Sequence, residues 1–240
     1  MEQLWLQGSC PPAGGPATGA KETGLAEHLE TYERIARFYD LLDLPFEHGR
    51  YRRIRPQLFA GLSGRVLDAG VGTGRNIPVY PQGAEVVGID LSPAMLARAE
   101  RRRAAVGAKV DLRRMDVTRL AFPDASFDAA VATFLFCVLP EEQQVPALQE
   151  LGRVVKPGGE IRLLEYVRPR GRWRRFVAGL WEPWMTWAYG AGFDRRTEEH
   201  VPEAGLDVVE SRFVVDDLVK FLTLRRSGSL VAQEVERPRT

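Results

Sequence analysis

"VLDAGVGTGRN", residues 66–76, closes an apolar run at Asp68 and Ala69 and then places Gly70, Gly72 and Gly74 within five positions. Glycine at this density weakens helices and strands, so a chain carries it where backbone must take a positive φ or approach a ligand closely. "RVLDA" (65–69) reads as a buried strand, and the glycines as a tight turn at its carboxyl end. In an open parallel sheet that is where ligand crevices lie.

The flanking sequence supplies such a sheet. "AEVVGID" (84–90), "KVDLRRM" (109–115), "FDAAVATF" (127–134) and "EIRLLEYV" (160–167) are further strands, separated by amphipathic stretches. Ser92 and Pro93 mark a helix start as N-cap and first helical residue. Another helix is expected over about 141–155, stopped by Pro157, Gly158 and Gly159 before the fifth strand. "LDVVESRFVV" and "LVKFLTLR" read as a strand pair or hairpin, although Asp216 and Asp217 between them could cap a short helix. Helical segments over about 26–42 and 48–60 precede the sheet.

Three ligands compete for the glycine turn. A phosphate loop needs G-x-x-x-x-G-K-[ST], and no such Lys follows; a dinucleotide turn needs G-x-G-x-x-G, and Arg75 stands at the third glycine. A nucleoside without a pyrophosphate remains, against the simpler possibility of a plain β–α connection. Asp90, at the end of the second strand, can accept from both hydroxyls of a ribose. Asp116 and Val117, after the third strand, can offer a carboxylate and a backbone N–H to a base edge.

Composition narrows the class. The chain has 240 residues, 45% hydrophobic and 27% charged, with a formal charge of +1, which provides no field for nucleic acid. Cys10 and Cys137 lack metal-ligand spacing, and His28, His48 and His200 are scattered, so no metal is expected. The first residues lack a secretory pattern and no apolar run is long enough to span a bilayer, so a cytoplasmic protein, touching the inner membrane face at most, is expected. Residues 1–24 and 227–240 read as flexible tails around a domain over 25–226.

"LDAGVGTGRN", "VVGIDLSPAMLARA", "MDVTRLAFPDASFDAAV" and "LQELGRVVKPGGEIRLLEYV", in that order, resemble the successive motifs of the class I S-adenosylmethionine-dependent methyltransferases. The resemblance implies an α/β, Rossmann-like, doubly wound sheet of seven strands with the last antiparallel. It implies S-adenosylmethionine as cofactor and S-adenosylhomocysteine as product. It assigns Asp68, Gly70 and Gly72 to the methionine part, Asp90 to the ribose, Leu91 and Met95 to the adenine, Asp116 and Val117 to its edge, and Thr133 and Phe134 to the sulfonium. Gly74 and Asn76 are counted with them.

Within that superfamily the chain looks like the branch of quinone C-methyltransferases, phospholipid N-methyltransferases and methyltransferase-like thiol S-methyltransferases. "IARFYDLLD" and "HGRYRR" are similar to the quinone enzymes' N-terminal region, which places Tyr39 beside the cofactor, whereas "FLFCVLP" is closer to the thiol-methylating enzymes.

"RPRGRWRRFVAGLWEPWMTWAYGAGF" (168–193) contains four of the five tryptophans. As a helical insert after the fifth strand, it presents Trp173, Trp181 and Trp184 on one face. With Trp187 and Phe193 it can roof an apolar acceptor pocket, or dip into lipid while Arg170, Arg172, Arg174 and Arg175 meet headgroups; an ordinary covering helix is the plainer alternative. Asp194, His200, Glu165 and Tyr166 are the candidate bases for an acceptor that must lose a proton, each with an equally simple structural role. The expected function is methyl transfer to a small hydrophobic or lipid-like acceptor, namely a phospholipid amine, a thiol or a quinone. The rival is a non-catalytic protein that binds the same nucleoside for regulation.

Overall fold

The computed structural model describes residues 52–167, 171 and 196–228. The chain runs α1 (Arg52–Phe59), β1 (Arg65–Ala69), β2 (Glu85–Asp90), α2 (Pro93–Val106), β3 (Val110–Arg114), β4 (Phe127–Thr133), α3 (Glu141–Val154), β5 (Val155–Tyr166), α4 (Thr197–His200), β6 (Leu206–Val215) and β7 (Val219–Arg226). The strands form one sheet in the order β3-β2-β1-β4-β5-β7-β6. β1 to β5 pair in parallel, and β7 runs antiparallel to both β5 and β6. Strand order reverses between β1 and β4, which opens the crevice above their carboxyl ends.

The strands read as continuous apolar runs because both sheet faces are covered. Neighbouring residues alternate between two cores: Leu67, Val87, Ala130 and Leu163 pack with Leu148 and Leu151 of α3. Val66, Val86, Val131 and Leu164 pack on the other face with Leu58 of α1 and Ala99 of α2. α2 starts where expected: Ser92 Oγ accepts from the Met95 N–H at 3.3 Å, Pro93 follows, and Gly107 at φ +66° ends the helix.

Two features depart from the sequence reading. The residues Lys156–Gly159 do not separate helix from strand; β5 begins at Val155, directly after α3, and pairs with Phe127 before its register slips to Ala129 opposite Glu160. Gly159 permits this, since a Cβ there would lie 2.5 Å from the Asp128 carbonyl oxygen. The β1–β2 and β3–β4 connections contain no α-helix, only a single 3-10 turn at Ile77–Val79 in the former. The latter is held by Arg153, whose guanidinium donates to the carbonyls of Leu120 at 2.9 Å and Phe122 at 2.8 Å and pairs with Asp124 and Glu150.

β6 and β7 form the hairpin, with Asp216 (φ +45°) and Asp217 in its turn rather than capping a helix. Among the described residues no helix is long and apolar enough to cross a membrane. The expected tails, apart from Ser227 and Gly228, the helix over 26–42 and the insert over 168–193, apart from Gly171, fall outside the described residues.

Candidate functional site

The site grows from the glycine turn. After Ala69, the Val71 N–H donates to the Ile89 carbonyl at 2.8 Å, which draws the turn across to β2. Gly72, at φ +55°, then aims its N–H at Asp90 Oδ2, 2.9 Å away. Asp90 Oδ1 accepts from the Ser92 N–H, also at 2.9 Å. Burial raises the Asp90 pKa to about 6, against the lowering pull of the Ser92 and Gly72 amides. Each carboxylate oxygen keeps a further lone pair for a ligand hydroxyl.

Past β3, Asp116 Oδ1 accepts from the N–H and the hydroxyl of Thr118, both at 2.8 Å, a turn that sets Val117 against the core. At the tip of β4, Thr133 Oγ1 accepts from Asn76 Nδ2 at 3.1 Å. Phe134 follows at φ +55°, its N–H bonded to the Leu164 carbonyl at 2.7 Å and its ring stacked on Tyr166 at 4.5 Å.

Gly70, Gly72, Asp90, Leu91, Met95, Asp116, Val117, Thr133 and Phe134 line one cleft over the ends of β1 to β4. Leu135, Val138, Leu139 and Pro140 extend it as an apolar wall. The cleft encloses about 140 Å³ and is open at its mouth.

Asp68, Gly74 and Asn76 do not line this cleft; they stand one layer behind it. Asp68 is fully buried, with Tyr80 donating its hydroxyl to Oδ2 at 2.6 Å and Asn76 Nδ2 shared between its two oxygens at 3.1 and 3.2 Å. Arg55 in turn donates to Asn76 Oδ1 at 2.8 Å. Burial lifts the Asp68 pKa to about 6, while the bonds from Tyr80 and Asn76 and the nearby Arg55 charge hold it down. Burial, reinforced by the Asp68 carboxylate, pushes the Tyr80 hydroxyl up as well. The network fixes Thr133 through Asn76. Sequence reasoning missed Arg55 and Tyr80; Arg55 is one of several arginines in Arg52–Phe59 and Tyr80 stands between Val79 and Pro81, and neither setting names a partner.

Of the candidate bases, the described three do not line the cleft. Glu165 points behind it, Tyr166 stacks against the back of Phe134, and His200 Nε2 meets Glu141 Oε1 at 2.7 Å at the start of α3. Asp194, Tyr39, Trp173, Trp181, Trp184, Trp187 and Phe193 fall outside the described residues.

A doubly wound sheet with an antiparallel seventh strand and a cleft at its reversal point defines a Rossmann-like fold. The family model "Methyltransferase domain" matches residues 66–159. A demethylmenaquinone methyltransferase of Tropheryma whipplei is 31% identical over 207 residues, 82% of each chain. The chain therefore belongs to the S-adenosylmethionine-dependent methyltransferases, whose cofactor is S-adenosylmethionine. A phosphatidylethanolamine N-methyltransferase of Cereibacter sphaeroides is 43% identical over 111 residues, 45% of this chain and 54% of that protein. Three of the curated relatives are matched over only 54–65% of their own length. The solved DhpI-SAH complex shares the fold, with a TM-score of 0.65 at 21% identity over 86% of this chain and 98% of that one.

Proposed function

We propose that this chain transfers a methyl group from S-adenosylmethionine to a small apolar acceptor of lipid-like or quinone-like chemistry. The observation that carries it is the convergence of four strand tips on one cleft, polar at the Asp90 end and apolar along Leu135 to Pro140. The cofactor fits the residues present. Gly72 has nothing nearer than the Gly70 carbonyl oxygen, 4.0 Å from where a Cβ would stand, so bare backbone can meet the ligand.

In this reading Asp90 takes the ribose hydroxyls, Leu91 and Met95 cover the adenine, and Asp116 and Val117 meet its edge. Gly70, Gly72, Thr133 and Phe134 border the methionine end. The bound cofactor supplies a methyl group activated by its sulfonium. The protein's part is alignment of the acceptor and exclusion of water, because in-line displacement depends on both.

The relatives named for phosphatidylethanolamine and demethylmenaquinone support an apolar acceptor. By its composition, the Trp- and Arg-rich segment over 168–193 suits an apolar roof for the acceptor or contact with a membrane surface. The test is incubation with methyl-labelled S-adenosylmethionine and phosphatidylethanolamine vesicles, a demethylated naphthoquinone and alkyl thiols, with calorimetry of S-adenosylhomocysteine alongside. Labelled product from one acceptor is expected. Saturable binding without product from any would support the nucleoside-binding rival, and no binding at all would remove the cleft assignment.

A further inference from the structure

The apolar wall of the cleft is held from behind by buried polar side chains that have no other partner role in the site. Glu165, on β5, is 2% exposed. Its Oε1 accepts from the N–H groups of Leu135 at 3.2 Å and Phe136 at 3.0 Å, and its Oε2 from that of Cys137 at 3.0 Å. Three consecutive amides converging on one carboxylate fix the direction in which the chain leaves β4.

The carbonyls of the same segment are gathered by a second buried side chain. Gln144 Nε2, from α3, donates to the Phe136 carbonyl at 2.7 Å and to that of Leu139 at 3.2 Å. Its orientation is set by Thr197 of α4, whose hydroxyl donates to Gln144 Oε1 at 3.0 Å. Both side chains are almost fully enclosed, so neither can be satisfied by water if the wall moves.

The segment needs this support. Phe134 holds a left-handed backbone that non-glycine residues seldom adopt. Leu135 presses on the glycine turn so closely that a Cβ on Gly70 would lie 2.9 Å from its Cδ1. A shift of the wall therefore alters the apolar end of the cleft before it reaches Asp90.

Resting on the acceptor reading above, we infer that Glu165 and Gln144 are positioning residues that set the wall against which the acceptor packs, and so determine which acceptors fit. Glu165 is then no proton acceptor in the reaction. Its carboxylate oxygens are spent on the amides of Leu135 to Cys137 and on the Cys137 thiol, and it does not line the cleft. Gln144 cannot serve as a base at all, which makes the pair separable by experiment.

The experiment compares wild type, Glu165→Gln and Gln144→Met, using the acceptor that gives product above, with S-adenosylhomocysteine calorimetry and amide hydrogen exchange over 134–140. Both variants should raise the acceptor KM about tenfold with kcat nearly kept, the response to a misplaced binding wall. Cofactor-product affinity should stay close to wild type, and exchange should speed up in 134–140 while β1 and β4 remain protected. A collapse of kcat in Glu165→Gln that Gln144→Met does not share would overturn the inference in favour of a base. Unchanged exchange over 134–140 in both variants would overturn it outright. If wild type turns over no acceptor, the functional proposal falls, while exchange together with binding of the naphthoquinone itself still decides the positioning role. Should Glu165→Gln fail to fold, Glu165→Asp, which keeps the charge and shortens the reach, takes its place with the same expected KM rise.

Discussion

Gly74→Ala and Gly72→Ala, two changes of one methyl group in the same turn, should fail in different ways. At Gly74 the backbone sits at φ +80°, and a Cβ would lie 2.6 Å from Ile77 Cδ1 and 2.9 Å from the Ala99 Cα of α2. The Ile77 methyl can swing aside, but the helix backbone must shift. The left-handed conformation costs an alanine ~1–2 kcal/mol, and overpacking against α2 a further ~1–3 kcal/mol. The sum is ~2–5 kcal/mol of stability, or about 4–20 °C in Tm for a domain of this size.

At Gly72 only the conformational part applies, ~1–2 kcal/mol, because a Cβ there meets no atom closer than 4.0 Å. Its effect should fall instead on S-adenosylhomocysteine affinity, since the methyl stands where the ligand approaches. Urea denaturation and calorimetry on both variants separate the two. A Gly74→Ala protein as stable as wild type, or a Gly72→Ala protein that loses as much stability while binding normally, would refute the division between a packing glycine and a ligand glycine.

Ser92→Ala should cost ~1 kcal/mol by removing the cap on the Met95 amide, measured by chemical denaturation with the m-value unchanged. The pH dependence of stability follows from Asp68, Asp90 and Glu165, whose pKa values burial raises to about 6, 6 and 7. Their contribution is complete below about pH 4 and is lost as pH rises through 6 to 7, because across that window the unfolded chain has released protons that the folded state still binds. Glu150, held low chiefly by its bond to Arg153, and Asp128, held low chiefly by Lys156, act oppositely and lose their contribution below the ordinary carboxylate range. Asp68→Asn should therefore flatten the decline between pH 4 and 7, by up to ~3 kcal/mol across the range for a two-unit shift; an unaltered slope would rule Asp68 out as its source.

How much of this protein could be read without coordinates depends on the range of the interaction concerned. The strand runs, the Ser92–Pro93 helix start and the hairpin at Asp216 are local, and their periodicity or turn chemistry is present in a few adjacent residues. Gly70, Gly72, Asp90, Asp116 and Thr133 were legible for a related reason: each stands at or just past a strand tip, and a parallel sheet brings all its carboxyl ends to one edge.

The sequence by itself therefore determined the sheet, its glycine turn and the row of residues along its open edge, because period and punctuation act over one or two turns of chain. Only the tertiary structure decided which motif residues face the cleft and which stand behind it. Asp68 is enclosed by Tyr80 and Asn76, Arg55 reaches Asn76 across 21 positions, and Glu165 receives the amides of a loop 28 to 30 residues earlier. It likewise decided that Lys156–Gly159 belong to β5 and bulge between two paired registers, a path open to Gly159 because a Cβ there would meet the Asp128 carbonyl oxygen. A buried polar group takes whatever partner the packed chain delivers, and sequence spacing contains no measure of that distance.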